Sequence, residues 1–142
     1  MTSKEIRIVY NEYESLDQLE PRDRELAQAA IDATKSSYAP YSNYNVGAAL
    51  LCKSGNIYKG CNIENAAFTP TNCGERTAFF KAVSEGQMEF SAIAIVGSRN
   101  GATQDEIEYC APCGVCRQVM MEFCDPKEFQ IILANGKGKH VQ

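Results

Sequence analysis

No stretch of this sequence approaches the ~20 apolar residues that a helix needs to cross a bilayer. It does not open on a charged segment followed by an apolar run, so no signal peptide is read in it. It has no cluster of lysine and arginine, and its net charge is −4. A polynucleotide is held by neutralising its phosphates on a basic surface, which this balance does not offer. The expected partner is a small, weakly charged molecule, with no nucleic acid and no membrane. Histidine is almost missing: the single copy, His140, follows Gly136-Lys137-Gly138-Lys139 in a polar tail and reads as a solvated residue rather than a ligand. Repeats, low-complexity tracts and linkers are absent as well. Together these absences predict a cytoplasmic chain, whose thiols stay reduced.

What is present is cysteine. The 142 residues suffice for one compact domain, read as 1–142 with residues 1–20 an acidic extension of unknown role. A domain of this size buries roughly 68–70% of its unfolded-chain surface, so its core needs no disulfide staples. The seven cysteines therefore call for another use, and their odd number argues against a fully paired framework. In a reducing compartment, clustered cysteines suggest metal binding or catalysis.

The pattern along the chain predicts an α/β fold. Ile6, Ile8 and Tyr10 alternate as in a short strand. Pro21 suits a first helical position, and Leu26, Ala29, Ala30 and Ala33 recur at helical spacing, giving a helix over about 21–37. Residues 46–53 and 57–63 flank Ser54-Gly55-Asn56 as a hairpin. A helix follows from Cys73 to Gly86, a buried strand over 91–97, and a fourth strand beginning at 107–110. Pro112 opens a helix to about Phe123 with Val115, Val119, Met120 and Phe123 inward, and a last strand covers 129–134. The order α-β-β-α-β-β-α-β predicts a central mixed five-stranded sheet with helices on both faces.

Cys73-Gly74-Glu75 lies about forty residues before Pro112-Cys113-Gly114-Val115-Cys116. Both groups fall at predicted helix starts, where unpaired amides and the helix dipole stabilise thiolates. Three thiolates can hold one zinc ion per chain and leave its fourth position open to water. Glu75 is then placed to take and deliver protons, the scheme of the zinc deaminases, whose signature includes P-C-x-x-C. Three sulfurs on one zinc carry about −1 net charge by simple counting, so Arg76, one turn from Cys73, is a candidate to hydrogen-bond them. Blander readings compete. Cys110 could join Cys113 and Cys116 in a structural zinc knuckle of a non-catalytic binding module, with Cys73 as the fourth ligand. Cys113 and Cys116 alone could be a redox pair. Cys52, Cys61 and Cys124 read as small core residues or inert thiols.

The chain resembles the small all-cysteine cytidine deaminases from about Tyr38 to Leu133. The likeness is carried by Ala39-Pro40-Tyr41-Ser42, Val46-Gly47-Ala48-Ala49-Leu50, Gly60-Cys61-Asn62-Ile63-Glu64-Asn65-Ala66, Cys73-Gly74-Glu75-Arg76-Thr77-Ala78 and Pro112-Cys113-Gly114-Val115-Cys116-Arg117-Gln118. It implies a three-layer α/β/α sandwich assembled as a homotetramer. It also implies zinc-dependent hydrolysis of cytidine and deoxycytidine in pyrimidine salvage. Asn62 and Glu64 would bind the ribose, where an amide and a carboxylate offer donor and acceptors. In the bland reading they satisfy loop backbone groups. Tyr44 stands where the family usually has a phenylalanine packed on the pyrimidine, and Gly74 where it often has alanine, keeping a backbone N–H toward the base. The family often continues into an apolar segment with an aromatic that reaches a neighbouring site, whereas this sequence stops at His140-Val141-Gln142. Deaminases of a related aminopyrimidine, blasticidin S, share the metal motif and form the alternative reading.

Overall fold

The computed structural model describes residues 1–136 and the backbone of 140–141. Its elements are β1 (Glu12–Tyr13), α1 (Pro21–Ala33), β2 (Tyr44–Cys52), β3 (Ile57–Cys61), α2 (Gly74–Ser84), β4 (Phe90–Arg99), α3 (Gly114–Phe123), β5 (Gln130–Ala134) and β6 (His140–Val141). They form one sheet in the order β1-β6-β5-β4-β2-β3. Only β4 and β5 pair in parallel, and α3 is the crossover between them. The sheet is thus mixed, because a parallel pair needs a long connection while a hairpin joins β2 and β3.

Alternation along the strands builds two cores. Ala49, Leu51, Ala92, Ala94, Val96, Ile132 and Ala134 face α1, which buries Leu26, Ala27, Ala30 and Ile31 against them. Ala48, Leu50, Cys52, Ile93 and Ile95 face the other side and meet Ala78, Phe79 and Ala82 of α2 and Met120 of α3. Phe79 is fully buried, edge-on to Phe90 at 5.1 Å and stacked on Phe123 at 6.2 Å. The result is the expected three-layer sandwich. Pro21 opens α1 as expected, and a 3-10 turn over Thr34–Ser36 carries the helical stretch on. Cys52 and Cys61 are buried, and Cys124 packs partly against the α2–α3 side.

The strands differ from expectation in two places. The stretch 107–110 is no strand: its backbone pairing with β4 is a single bridge between Glu108 and Gly97. A 3-10 turn over Gln104–Glu106, closed by a Thr103–Glu106 capping box, delivers Ile107 into the α1-side core. The chain then leaves the sheet to start α3. At the β1 edge of the sheet, Ile6, Ile8 and Tyr10 are exposed and pair with no strand among the described residues, while Glu12 and Tyr13 pair with Val141 and His140. In α3, Val115 is exposed rather than inward. The buried stripe runs through Cys116, Val119, Met120 and Phe123, and Val115 precedes that i, i+3, i+4, i+7 series by one position. The side chain of His140 and the tail at 137–139 lie outside the described residues. Among those described, no helix is long and apolar enough to cross a membrane.

Candidate active site

Two helix starts meet on one side of the sheet. Cys73 is the N-cap of α2, and Cys113 is the N-cap of α3. Gly60 of β3 makes the approach of α2 possible. A Cβ there would run into the carbonyl of Gly74 and the amide of Ala78, so only glycine lets the first turn of α2 press this close. The Thr77 hydroxyl donates to the Cys73 carbonyl (3.0 Å) and accepts from the Asn72 amide (3.1 Å), which fixes the cap. The Cys116 amide donates to Cys113 Sγ at 3.4 Å.

The three sulfurs therefore converge. Cys73 Sγ lies 3.9 Å from Cys113 Sγ, Cys113 Sγ lies 3.4 Å from Cys116 Sγ, and all three fall within 4.8 Å of one another. A tetrahedral zinc with bonds of about 2.3 Å would set its sulfurs roughly 3.8 Å apart, so the donor set fits zinc in type and spacing. Cys110 is not one of this group, which removes the knuckle reading that needed it. It is half-buried, and burial pushes its thiol up to about 11.

Charge is distributed unevenly over the set. Cys73 is held well below the usual thiol range, first by a hydrogen bond from Cys116 and then by Arg76. The same Cys73 bond, with burial, pushes Cys116 up. Arg76 places Nη2 3.4 Å from Cys73 Sγ. Its Nε is buried and has no hydrogen-bond partner among the described residues. Glu75, in the first turn of α2, is only 3% exposed; burial raises its carboxyl, while a bond to the Cys116 sulfur opposes that rise. One buried carboxyl thus lies near the Cys73 and Cys116 sulfurs and beside a guanidinium, and the sulfur set has no fourth protein donor among the described residues.

Asn62 and Glu64 both reach toward the start of β2. The Asn62 side chain accepts from Val46 N (2.8 Å) and donates to Tyr44 O (2.8 Å), continuing the backbone ladder of β2. One of its two amide hydrogens is committed by this, and the other is not. Glu64 Oε2 accepts from the amides of Tyr41 (2.9 Å) and Ser42 (3.2 Å), pinning the 39–43 turn. The Ser42 side chain and these amides hold the Glu64 carboxyl below the ordinary carboxylate range. Both residues thus perform the loop-fixing work of the bland reading, without excluding a second task. Gly74 is buried, and a Cβ on it would stand 3.0 Å from Val46 O. Tyr44 is half-buried with its ring over Gly97, its phenol pushed up to about 12 by burial and by Cys110 and Glu108. Gly97 and Glu108 escaped the sequence reading, because neither lies in a motif: register across β2 and β4 sets Gly97 under Tyr44, and an isolated bridge sets Glu108 beside Gly97.

Comparison with known proteins points mainly to cytidine deaminases, while a blasticidin-S deaminase of Bacillus cereus is 33% identical over 117 residues, 82% of each chain. The family model described as the cytidine and deoxycytidylate deaminase zinc-binding region matches residues 20–132. A cytidine deaminase of Sporosarcina psychrophila is 51% identical over 106 residues, covering 75% of this chain and 72% of its own length. Another, from Halalkalibacterium halodurans, is 48% identical over 113 residues, 80% of each chain. The crystal structure of cytidine deaminase from Burkholderia pseudomallei superposes with a TM-score of 0.72 at 45% identity, covering 83% of this chain and 89% of that one.

Proposed function

The chain belongs to the family of zinc-binding cytidine and deoxycytidylate deaminases, and from that premise we infer hydrolytic deamination of cytidine and deoxycytidine. The products are uridine, deoxyuridine and ammonia. The observation that carries this reading is a buried Glu75 carboxyl beside a set of three convergent sulfurs, two of which act on it. The cofactor is zinc, and Cys73, Cys113 and Cys116 would hold it. Bound there, it supplies a Lewis acid that activates water.

Each of the chain's own groups then has a task. Glu75 takes one proton of the attacking water and passes it to the ring nitrogen beside the reacting carbon, then carries the second from the newly added hydroxyl to the amino group, which leaves as ammonia while the carbon–nitrogen bond breaks and the carbonyl forms. Its burial excludes competing water from that transfer. Arg76 donates to Cys73 and offsets the charge of the thiolates, which would otherwise make the site less able to ionise water. The Gly74 amide faces the pyrimidine, and the Tyr44 ring packs on it. The remaining amide hydrogen of Asn62 and the Glu64 carboxylate bind the ribose hydroxyls.

Beyond the reaction, we read the working form as a cytoplasmic homotetramer acting on free nucleosides in pyrimidine salvage. Exposed Phe80 on α2 and exposed Val115 and Met121 on α3 support burial of these helices against other copies. The net charge of −4 without a basic cluster supports a free nucleoside over a polynucleotide. The test is zinc content by elemental analysis, together with turnover of cytidine, deoxycytidine, cytosine, adenosine and blasticidin S. One zinc per chain and ammonia from the first two substrates are expected. Turnover of blasticidin S but not of cytidine would overturn the assignment.

A further inference from the structure

Tyr44 opens β2, opposite Arg99 at the far end of β4. Two residues back on β4, Gly97 shares the face of Ile93 and Ile95, which is the face of α2 and α3. The Tyr44 ring lies directly over it. A Cβ on Gly97 would stand 2.7 Å from both Cε1 and Cζ of that ring and closer still to the hydroxyl. No real side chain tolerates such an approach, so the missing Cβ is the room in which the ring sits. Gly97 is also where the chain returning from the 99–109 segment is fastened. The Gly97 amide donates to the Glu108 carbonyl (3.1 Å), and the Glu108 amide donates to the Gly97 carbonyl (2.7 Å). The phenol that reaches past Gly97 is thereby brought beside Glu108, the residue bridged to Gly97, which adds to burial in pushing the phenol up.

We propose that Gly97 and Glu108 are positioning residues for the reaction: the notch at Gly97 seats the Tyr44 phenol, the Glu108 carboxylate accepts its hydrogen bond, and the ring is locked as a rigid wall for the pyrimidine. The inference rests on the deaminase reading and on the place given there to Tyr44. It assigns the hydroxyl of this tyrosine a purpose that a bare aromatic face does not need. It also makes 44, 97 and 108 one unit, so that changes at these positions are not independent.

The test is a set of cycles on the zinc-loaded enzyme: wild type, Gly97→Ala, Glu108→Gln, Tyr44→Phe, and the two double variants that combine Gly97→Ala or Glu108→Gln with Tyr44→Phe. The readouts are kcat and KM for cytidine, zinc per chain and melting temperature. Gly97→Ala is expected to raise KM about tenfold at unchanged zinc content, since overpacking of this kind displaces the ring. In the Tyr44→Phe background its effect is expected to fall below about threefold, because a ring without its hydroxyl is no longer tied to Glu108 and can tilt away. Glu108→Gln is expected to raise KM in the tyrosine enzyme and to do nothing further in the phenylalanine enzyme. Equal effects in both backgrounds overturn the proposal. Should Gly97→Ala fail to fold, the Glu108 cycle decides alone, since that change adds no bulk. A zinc-loaded wild type that releases no ammonia from cytidine would instead sink the deaminase reading. The same cycles read in melting temperature then judge the notch, additive shifts overturning it and coupled shifts upholding it.

Discussion

Arg76 Nη2 stands 3.4 Å from Cys73 Sγ, one turn along the same helix. The contact gives a guanidinium to a thiol held below its usual range, and the role proposed for it is electronic. Arg76→Ala is expected to keep the fold and to lose roughly 10- to 100-fold in zinc affinity or kcat, the usual cost of removing a group that supports a metal ligand. Arg76→Lys restores the charge but not the planar donor, so it should recover only part of the loss. Zinc titration beside ammonia release checks both.

Glu75→Gln keeps size and burial while removing the carboxyl. Zinc content should stay at one per chain, and kcat should fall by roughly 100- to 10,000-fold, the range spanned by a lost general acid–base. Equal ammonia release from variant and wild type would remove Glu75 from the mechanism.

Asn62→Ala strips partners from Val46 N and Tyr44 O together. Leaving buried polar groups unsatisfied costs about 1–3 kcal/mol, so denaturant unfolding should show a loss of that order. Asn62→Asp keeps the acceptor for Val46 N but sets a carboxylate against the Tyr44 carbonyl, and is expected to be no better folded. A change in KM for cytidine with unaltered unfolding would mean that the amide serves the ribose alone.

Glu64 carries a dependence on pH with a defined sign. Its carboxyl is depressed in the folded chain, first by the Ser42 side chain and then by the Tyr41 and Ser42 amides. A depressed group contributes stability that is full above its unfolded value of about 4.3 and is lost as pH falls through the lower folded value. The difference in melting temperature between wild type and Glu64→Gln should therefore be flat from neutral pH down to about 5 and shrink below it. A difference that instead grows toward acid pH would contradict the bonding described for the 39–43 turn.

Much of this architecture was legible because local chemistry and tertiary need agree. Pro21 suits only a helix start, the Ser54–Asn56 turn suits only a hairpin, and the spaced alanines of α1 and α2 suit close packing on a sheet. The sulfur set was legible for the same reason: thiolates favour the ends where two helices begin. The 107–110 stretch misled because Ile107 is buried like a strand residue although a 3-10 turn delivers it. Val115 misled because one apolar residue beside a buried stripe looks the same in sequence as one within it. Gly97 and Glu108 carry no signal of their own, since what joins them to Tyr44 is the pairing of Gly97 with Glu108 across a segment of irregular backbone.

Cys73 and Cys113 each begin a helix, and they stand forty residues apart in the chain. A metal shared between them closes a loop that contains all of α2, β4 and the 99–109 segment. Closing a loop of that length removes on the order of 4 kcal/mol of freedom from the unfolded chain in the entropic picture used for disulfides. The ion that serves the chemistry is by the same geometry a fastener for the seam between α2 and α3. Stripping it with a chelator is expected to lower the melting temperature as well as the activity, so that storage, purification and assay conditions act on folding and turnover through one atom.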